Sequence, residues 1–210
     1  TEIKIGNTNA YSGPASAYSL MAKVQAAYFK MLNENGGING RKINFVSYDD
    51  AYSPPKTVEQ TRKLVEGDEV LLVFNPLGTA PNSATQKYFN ARKVPQLFVG
   101  TGAHKWNDPK NFPWTMGWQP SYHAEGMIYA KYILANKPAA KIAILYQNDD
   151  FGKDYLKGML DGLEGKIKPV LQLPYEVTDP TIEAQVARLA SSGADVFFDI
   201  ASPKFAAQAI

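Results

Sequence analysis

The stretch LNENGGINGRKINFVSYDDAYSPPKTVEQTRKLV (residues 32–65) runs from the end of one helix through a strand into the next helix. Gly36 is the predicted C-cap of the first helix, because glycine adopts the left-handed conformation that ends many helices. Asn39 and the glycine after it make a tight turn. The strand is KINFVSYD (42–49), and Pro54 lies in the first turn of the second helix, where proline is tolerated. This order predicts an α/β protein.

The same alternation of strands and helices extends over the whole chain. The other predicted strands are IKIGNT (3–8), VLLVFN (70–75), QLFVG (96–100), KIAILYQ (141–147), KPVLQLPYE (168–176) and DVFFDI (195–200). The predicted helices cover residues 15–35, 82–92, 151–164 and 180–192, with others after Pro54, after Pro120 and near Pro203. Such alternation implies right-handed βαβ crossovers, which build parallel sheets with helices on both faces.

The helix predicted at residues 15–35 has the pattern of an amphipathic helix. Its apolar positions, which are 4, 3, 1 and 3 residues apart, are Leu20, Val24, Ala27, Tyr28 and Met31. Residues at such spacings share one side of a helix.

The best candidate for a domain boundary lies near residues 118–121, where the alternation restarts after a long irregular loop. We predict a Rossmann-like α/β unit at residues 1–119 and part of a second α/β unit at residues 120–210. The second sheet would contain only about three strands, whereas sheets usually have about four to six. The sequence is therefore expected to be the N-terminal part of a longer protein.

Composition limits the classes of function. Of the 210 residues, 22 are Lys or Arg and 20 are Asp or Glu, which gives a net charge of +2. This balance gives no reason to expect nucleic acid or an anionic membrane surface as a partner. No apolar run approaches the roughly 20 residues of a transmembrane helix, so direct membrane insertion is not expected. The absence of cysteine excludes disulfides and thiol catalysis but leaves the compartment open.

The motifs of common enzymes are absent from the sequence. There is no P-loop and no Gly-x-Ser-x-Gly elbow, and the segment GTG (100–102) begins like a dinucleotide fingerprint but lacks its third glycine. No cofactor is therefore predicted. Acidic pairs at residues 49–50 and 149–150 each follow a strand. Such a pair can bind a metal, although it more often supplies turn and N-cap side chains.

The loops at the carboxyl ends of the predicted strands share one composition. In an open parallel sheet, ligands bind at this edge. The loops combine Gly, Ser and Thr with aromatic residues, and they are residues 9–19, 75–84, 100–106, 147–155 and 200–203. Backbone N–H groups at helix N-termini bind anions, and aromatic side chains provide apolar walls. Ordinary turns and N-caps use the same residue types, so composition alone leaves both interpretations open.

Several motifs together resemble one family of proteins. Residues 32–65, YSGPAS (11–16), KIAILYQNDDFGKDYLKGMLDGL (141–163) and SGADVFF (192–198) resemble the periplasmic branched-chain amino acid binding proteins of ABC importers. The resemblance covers the whole chain in order. It implies the type I periplasmic-binding-protein fold, in which two lobes flank a cleft and three crossovers join them. This chain would contain the first crossover, so that the second lobe and the other crossovers are incomplete.

The resemblance also implies which residues bind a ligand. The loop after the third strand, FNPLGTAPNSA (74–84), would hold a carboxylate at a helix N-terminus through backbone N–H groups and a hydroxyl, at Gly78 and Thr79. The other positions that match ligand-binding residues of the family are Tyr18, Thr101, Gly102, Ala103, Phe151, Ala201 and Ser202. Leucine-binding members carry a disulfide at positions that match Tyr52 and Leu77, and here both cysteines are absent together.

The function that the resemblance implies is solute binding without catalysis. The protein would be a periplasmic protein, or a lipid-anchored extracellular one in a Gram-positive organism, that delivers a small carboxylate to an ABC transporter permease. The ligand would be a branched-chain or other hydrophobic amino acid, or an aromatic acid. The acidic residue that takes an amino acid's ammonium would lie beyond Ile210, so both ligand classes stay open. The alternatives are a sensor domain of a receptor or regulator and, less favoured, an enzyme that uses the same cleft.

Overall fold

The computed structural model describes residues 2–210. The chain divides into two compact units, of which one ends at Gln119 and the other begins at Pro120. The strands of the first unit are β1 (Glu2–Asn9), β2 (Lys42–Asp49), β3 (Leu72–Phe74), β4 (Gln96–Val99) and β5 (Thr115–Gly117). Its helices are α1 (Ser19–Glu34), α2 (Pro54–Arg62) and α3 (Thr79–Arg92), with short 3-10 turns at Ser16–Tyr18 and His104–Trp106 and a π-helical turn at Lys63–Gly67.

The first unit is built on a parallel sheet with strand order β2-β1-β3-β4-β5. The connection from β1 to β2 moves across the sheet toward one edge, and the connections from β2 to β3 and from β3 to β4 move toward the opposite edge. Right-handed crossovers therefore place α1 on one face and α2 and α3 on the opposite face. On the α1 face, the ring of Phe29 contacts Phe45 and Phe74. On the opposite face, Leu64 and Phe89 belong to a buried apolar cluster. The predicted α/β class is confirmed.

The apolar stripe of α1 is not its buried side. A helix forms where the pattern predicts one, but four stripe residues are at least half exposed: Leu20, Val24, Tyr28 and Met31. The ring of Phe29 contacts Phe45 of the sheet instead, and Ala22 is the fully buried apolar residue of α1. Periodicity shows that apolar residues share a side of the helix without showing what that side meets.

Strand β4 contains a β-bulge that the sequence does not predict. Gln96 pairs with Thr115 and Val99 with Gly117, so the register shifts between the two pairs. Phe98 accommodates the extra residue with φ 55, in the left-handed region that costs energy for a bulky side chain. The bulge turns the ring of Phe98 into edge contacts with aromatic rings of β3 and of the segment after β5.

The second unit is a smaller parallel sheet with helices on both faces. Its elements are α4 (Tyr122–Asn136), β6 (Ile142–Gln147), α5 (Asp150–Leu163), β7 (Leu171–Tyr175), α6 (Glu183–Ala190), β8 (Val196–Ile200) and α7 (Pro203–Ala209). The strand order is β7-β6-β8. One apolar cluster lies under α4 and α5 and a second one under α6 and α7. Within residues 2–210, no helix is both long and apolar enough to cross a membrane.

Glycines set the distance between α4 and α5. A Cβ atom on Gly158 would lie 2.1 Å from the carbonyl oxygen of His123, and one on Gly126 would lie 2.7 Å from the backbone nitrogen of Met159. Gly162 has an equally close approach to α4. The two helices therefore touch backbone to backbone, and only glycine fits at these positions.

We predict that Gly158→Ala lowers the free energy of unfolding by about 1–3 kcal/mol, the usual cost of overpacking. Alanine has the higher helix propensity by about 1 kcal/mol, so the sign of the change reports the packing of α4 on α5. Urea denaturation of the full-length protein measures the effect. Gly67→Ala is the control, because a Cβ there would meet only Lys63 Cγ at 4.0 Å. A Gly158→Ala protein as stable as the wild type would contradict the close contact.

Candidate functional site

In each sheet, the connections leave toward opposite edges from one point, where the strand order reverses. In the first unit β1 lies between β2 and β3, and in the second unit β6 lies between β7 and β8. Connections that leave such a pair of strands toward opposite faces open a crevice at the carboxyl edge, where ligands bind in open α/β sheets. The loops after β1 and β3 form this edge in the first unit, and those after β6 and β8 form it in the second.

The loop after β3 ends in a helix N-terminus that no side chain caps. Helix α3 begins at Thr79, three residues before the predicted start, and Gly78 is its N-cap residue with φ 94. A Cβ at Gly78 would lie 2.6 Å from the ring of Tyr52, so both conformation and space require glycine. The first N–H groups of a helix have no acceptor within the helix, and Pro81 has none to donate. The amides of Thr79 and Ala80 therefore provide a site suited to an anion.

Asn82 turns the carbonyl groups of this loop away from that site. Its Nδ2 donates to the carbonyl oxygen of Pro76 at 2.9 Å and to that of Gly78 at 2.7 Å. Its Oδ1 accepts from Gln96 Nε2 at 2.8 Å, and both side chains are buried. Asn82 thus determines which face of the loop presents donors. Our sequence reasoning missed it, because an Asn in a helical first turn gives only a weak signal when its partners are unknown.

Two of the predicted hydroxyls come together at this site. The Oγ1 atoms of Thr79 and Thr101 are 2.5 Å apart, and the two residues are only 1% and 2% exposed. The loop after β4 reaches this position because Gly100 donates its N–H to the carbonyl oxygen of Pro76 at 2.9 Å. Gly102 and Ala103, which follow Thr101, are also buried. Hydroxyl and amide donors without a carboxylate among them are a donor set that suits an anionic ligand.

Tyr18 lies beside the loop after β3, which contains Gly78. It packs against a buried cluster formed by Ala10, Ala15 and Leu77, and Tyr52 packs against the same cluster. Tyr52 and Leu77 are the positions at which leucine-binding members were expected to carry their disulfide. Here an apolar cluster includes both residues, and it brings the loops after β1, β2 and β3 together without a covalent link.

Asp49 holds the loop after β1 in place. Its carboxylate accepts the backbone N–H groups of Tyr11 at 3.0 Å, Ser12 at 3.1 Å and Ala51 at 2.9 Å. It also accepts the hydroxyl of Ser12 at 2.5 Å and Lys56 Nζ at 3.1 Å. Burial acts to raise the pKa of Asp49, but the hydrogen bonds from Ser12, Ala51 and Lys56 outweigh it and hold the pKa below its usual range. The ionised carboxylate is therefore the form that the fold selects.

In the second unit, the acidic residue Asp149 caps a helix. Asp149 Oδ1 accepts the N–H groups of Phe151 at 3.0 Å and Gly152 at 3.3 Å at the start of α5. A Cβ on Gly152 would lie 2.0 Å from the carbonyl oxygen of Gln147, so the helix begins directly against the end of β6. Phe151 is one of the predicted ligand residues. Its ring makes an edge contact with the ring of Tyr122, with the two centroids 5.2 Å apart.

The remaining predicted residues follow β8. Ala201 packs against the apolar cluster under α6 and α7. Ser202 is buried, and its backbone N–H donates to the hydroxyl of Tyr175 at 2.8 Å. Ser202 is thus engaged within its own unit, and the roles of all nine predicted residues in ligand binding stay predictions.

Both acidic pairs have turn or capping contacts. Asp50 accepts the N–H of Tyr52 and the hydroxyl of Thr57, both at 2.9 Å, as Asp49 and Asp149 accept loop and helix amides. The turn and N-cap interpretation of these pairs is confirmed. Across residues 2–210, no group of three or more His, Cys, Asp or Glu side chains is arranged to hold a metal ion.

Comparison with known proteins identifies relatives of the chain. Residues 2–210 match the family described as periplasmic binding protein. The leucine-specific-binding protein of Salmonella typhimurium is 26% identical over 203 residues, which cover 94% of this chain and 53% of that protein. The chain spans about half the length of the curated relatives it matches.

Solved structures share the fold of the chain. A fatty acid ABC transporter substrate-binding protein from Thermomonospora curvata has a TM-score of 0.86 at 24% identity and matches 100% of this chain and 53% of its own. A solute binding protein of an ABC transporter from Rhodopseudomonas palustris, solved with 3,4-dihydroxybenzoic acid, has a TM-score of 0.81 at 18% identity, with 95% of this chain and 54% of its own covered. By these names, the relatives are binding proteins and not enzymes.

We predict that Asp49→Asn lowers the free energy of unfolding at pH 7 by about 1–3 kcal/mol, since it weakens hydrogen bonds to a charged group. The pKa of Asp49 is lower in the folded protein than the unfolded value of about 3.9. Its contribution is therefore complete above that value and is lost as the pH falls toward the folded pKa. The difference between wild type and variant should shrink below about pH 4.

Urea denaturation of both proteins between pH 3 and pH 7 measures this difference. Glu59→Gln, at an exposed position on α2, is the control and should show a much smaller change. A difference that stays constant down to pH 3 would contradict the assignment of the effect to the Asp49 carboxylate.

Proposed function

This chain belongs to the periplasmic binding protein family, and from that premise we propose that it forms part of an extracytoplasmic solute-binding protein of an ABC transporter. Its ligand is a small carboxylate, either a branched-chain or other hydrophobic amino acid or an aromatic acid. The protein delivers this ligand to a permease and does not transform it. It resides in the periplasm or, in a Gram-positive organism, on the cell surface with a lipid anchor.

The observation that carries the proposal is the uncapped N-terminus of α3 beside the paired hydroxyls of Thr79 and Thr101. An anion there gains from the amides, from the helix dipole and from the hydroxyls together. Asn82 supports this polarity because it keeps the loop carbonyl oxygens occupied. These donors are backbone amides and hydroxyls, which suit a carboxylate.

The names of the relatives agree with a carboxylate ligand. Leucine, a fatty acid and 3,4-dihydroxybenzoic acid differ in size, shape and aromatic character. A carboxylate is the chemical group that all three have in common. A site that binds this group with backbone amides and hydroxyls can remain the same while the apolar walls change, which supports assigning the carboxylate to the loops after β3 and β4.

We predict that Thr79→Val and Thr101→Val in the full-length protein each weaken binding about tenfold or more, because a charge-assisted hydrogen bond is worth about 1.5–3 kcal/mol. Calorimetric titration with L-leucine and with 3,4-dihydroxybenzoate measures the loss. Thr61→Val is a matched control: Thr61 is equally buried, lies on α2, and has no hydrogen-bond partner for its hydroxyl among residues 2–210. Unchanged affinity in the Thr79 variant would remove Thr79 from the site.

We predict that Tyr18→Ala weakens the binding of a bulky apolar carboxylate about tenfold, because an aromatic wall contributes on the order of 1.5–3 kcal/mol when it is covered. Glycine, which offers no apolar side chain to that wall, should lose little affinity. Tyr28→Ala, at an exposed position on α1, the helix that follows Tyr18, is the control. An equal loss for glycine and for 3,4-dihydroxybenzoate would argue against placing Tyr18 in the site.

Delivery to a permease separates the proposed role from that of a sensor. The decisive measurement is uptake of radiolabelled L-leucine or 3,4-dihydroxybenzoate into membrane vesicles from the source organism, with and without the full-length protein. Uptake that requires the full-length protein supports transport. Binding without any dependence of uptake on the protein would favour a receptor or regulator.

A further inference from the structure

We infer that the Tyr175 hydroxyl is a positioning group in the second unit. It couples the loop after β6 with the first residues of α5 (148–151) to the loop after β8 with the first residue of α7 (201–203). The inference rests on the proposed function, because these two loops carry Phe151, Ala201 and Ser202. It goes beyond that function by naming a residue that acts on binding through its neighbours.

One half of the connection runs from Tyr175 to the start of α5. The Tyr175 hydroxyl donates to Gln147 Oε1 at 3.0 Å, and Gln147 Nε2 donates to Asp149 Oδ2 at 2.6 Å. Asp149 Oδ1 in turn accepts the N–H groups that begin α5, including that of Phe151 at 3.0 Å. The position of Phe151 is thus tied to Tyr175 through two side chains.

The other half runs from Tyr175 to the loop after β8. The backbone N–H of Ser202 donates to the Tyr175 hydroxyl oxygen at 2.8 Å. Ser202 Oγ is also 3.3 Å from that oxygen. Tyr175 has one hydroxyl proton and gives it to Gln147, so the Ser202 hydroxyl must be the donor in this second contact. Every hydrogen bond in the connection then has a defined direction.

The geometry explains why a tyrosine is required. Tyr175 ends β7, pairs with Gln147 at the end of β6, and reaches past β6 to the loop that follows β8. A shorter hydroxyl side chain on β7 would not span this distance. The ring is held by Phe205, whose centroid lies 4.4 Å away. The hydroxyl is therefore positioned by packing before it forms its hydrogen bonds.

Burial makes the connection sensitive to the loss of one group. Tyr175 and Gln147 are each 2% exposed and Ser202 is 4% exposed. Burial raises the pKa of Tyr175 to about 12, so the hydroxyl keeps the proton that it donates. Without that hydroxyl, the N–H of Ser202 and Oε1 of Gln147 would lack their shared partner in a place that water reaches poorly, which is costly.

The consequence for binding is preorganisation. Two loops that move independently must both be ordered when a ligand binds, and this ordering subtracts from the affinity. A buried hydrogen-bonded connection orders them together in advance. Tyr175 thus acts on the ligand-binding edge without contacting the ligand.

Amide hydrogen exchange of the full-length protein without ligand tests the coupling directly. In Tyr175→Phe, we expect the segments 148–153 and 201–206 to exchange at least tenfold faster and to change together. Ser202→Ala keeps the backbone N–H that donates at 2.8 Å and should change exchange much less. Tyr146→Phe, the same substitution on β6 at a hydroxyl outside this connection, should leave both segments unchanged.

A second control separates coupling from general loss of stability. Ile167→Ala removes core contacts under α4 and α5 and should raise exchange throughout residues 120–210 and not in the two loops selectively. Selective acceleration of both loops in Tyr175→Phe supports the inference. Acceleration of only one loop, or a uniform rise like that of Ile167→Ala, would overturn it.

Calorimetry with L-leucine and 3,4-dihydroxybenzoate then tests the effect on binding. If the wild type binds either compound, Tyr175→Phe should lower that affinity at least fivefold while Tyr146→Phe does not. Loosened loops with unchanged affinity would overturn the role in positioning. If the wild type binds neither compound, the proposed ligand class fails, and the exchange experiment still decides whether Tyr175 couples the loops.

Discussion

The parallel pairing of every strand is the constraint on which the rest of the structure depends. β1 pairs with β2 in unbroken register from Glu2–Lys42 to Asn9–Asp49, and the other pairs of both sheets are parallel as well. Parallel strands end at the same edge, so the loops that follow them gather there together with the N-termini of the next helices. Donor groups thus accumulate at one edge of each sheet without any special arrangement of the chain.

The backbone N–H and C=O groups at this edge need hydrogen-bond partners. In each unit, a few side chains provide these partners. Asn82 binds two carbonyl oxygens of the loop after β3, and Tyr175 joins the loops after β6 and β8. Asp49, the last residue of β2, accepts amides of the loop after β1, and Asp149, two residues after β6, accepts the first amides of α5. The amides at the start of α3 have no side-chain cap, whereas those at the start of α5 are capped by Asp149.

The candidate site could be predicted from the sequence only where the motifs of a known family point to it. The composition of residues 74–84 leaves an ordinary turn and an anion-binding loop both open, and only the family resemblance points to Gly78, Thr79 and Thr101. Asn82 and Tyr175 could not be found this way, because the partners that define their roles are distant in the chain. Tyr175 and Ser202, for example, are separated by 27 positions. A hydrogen bond of this kind leaves no periodic or compositional trace in the sequence.

The sequence by itself determined the type and order of the elements, since turn residues such as Gly36 and Asn39 and the spacing of apolar residues act within a few positions of the chain. The strand at 42–49 lies where it was predicted, and the first helix forms where its periodicity indicates. Only the tertiary structure decided that α1 leaves its apolar stripe exposed and contacts the sheet through Phe29, and that Phe98 adopts the left-handed conformation of a bulge. Both outcomes depend on what packs against the element, and packing energy comes from residues that are close in space but far apart in sequence.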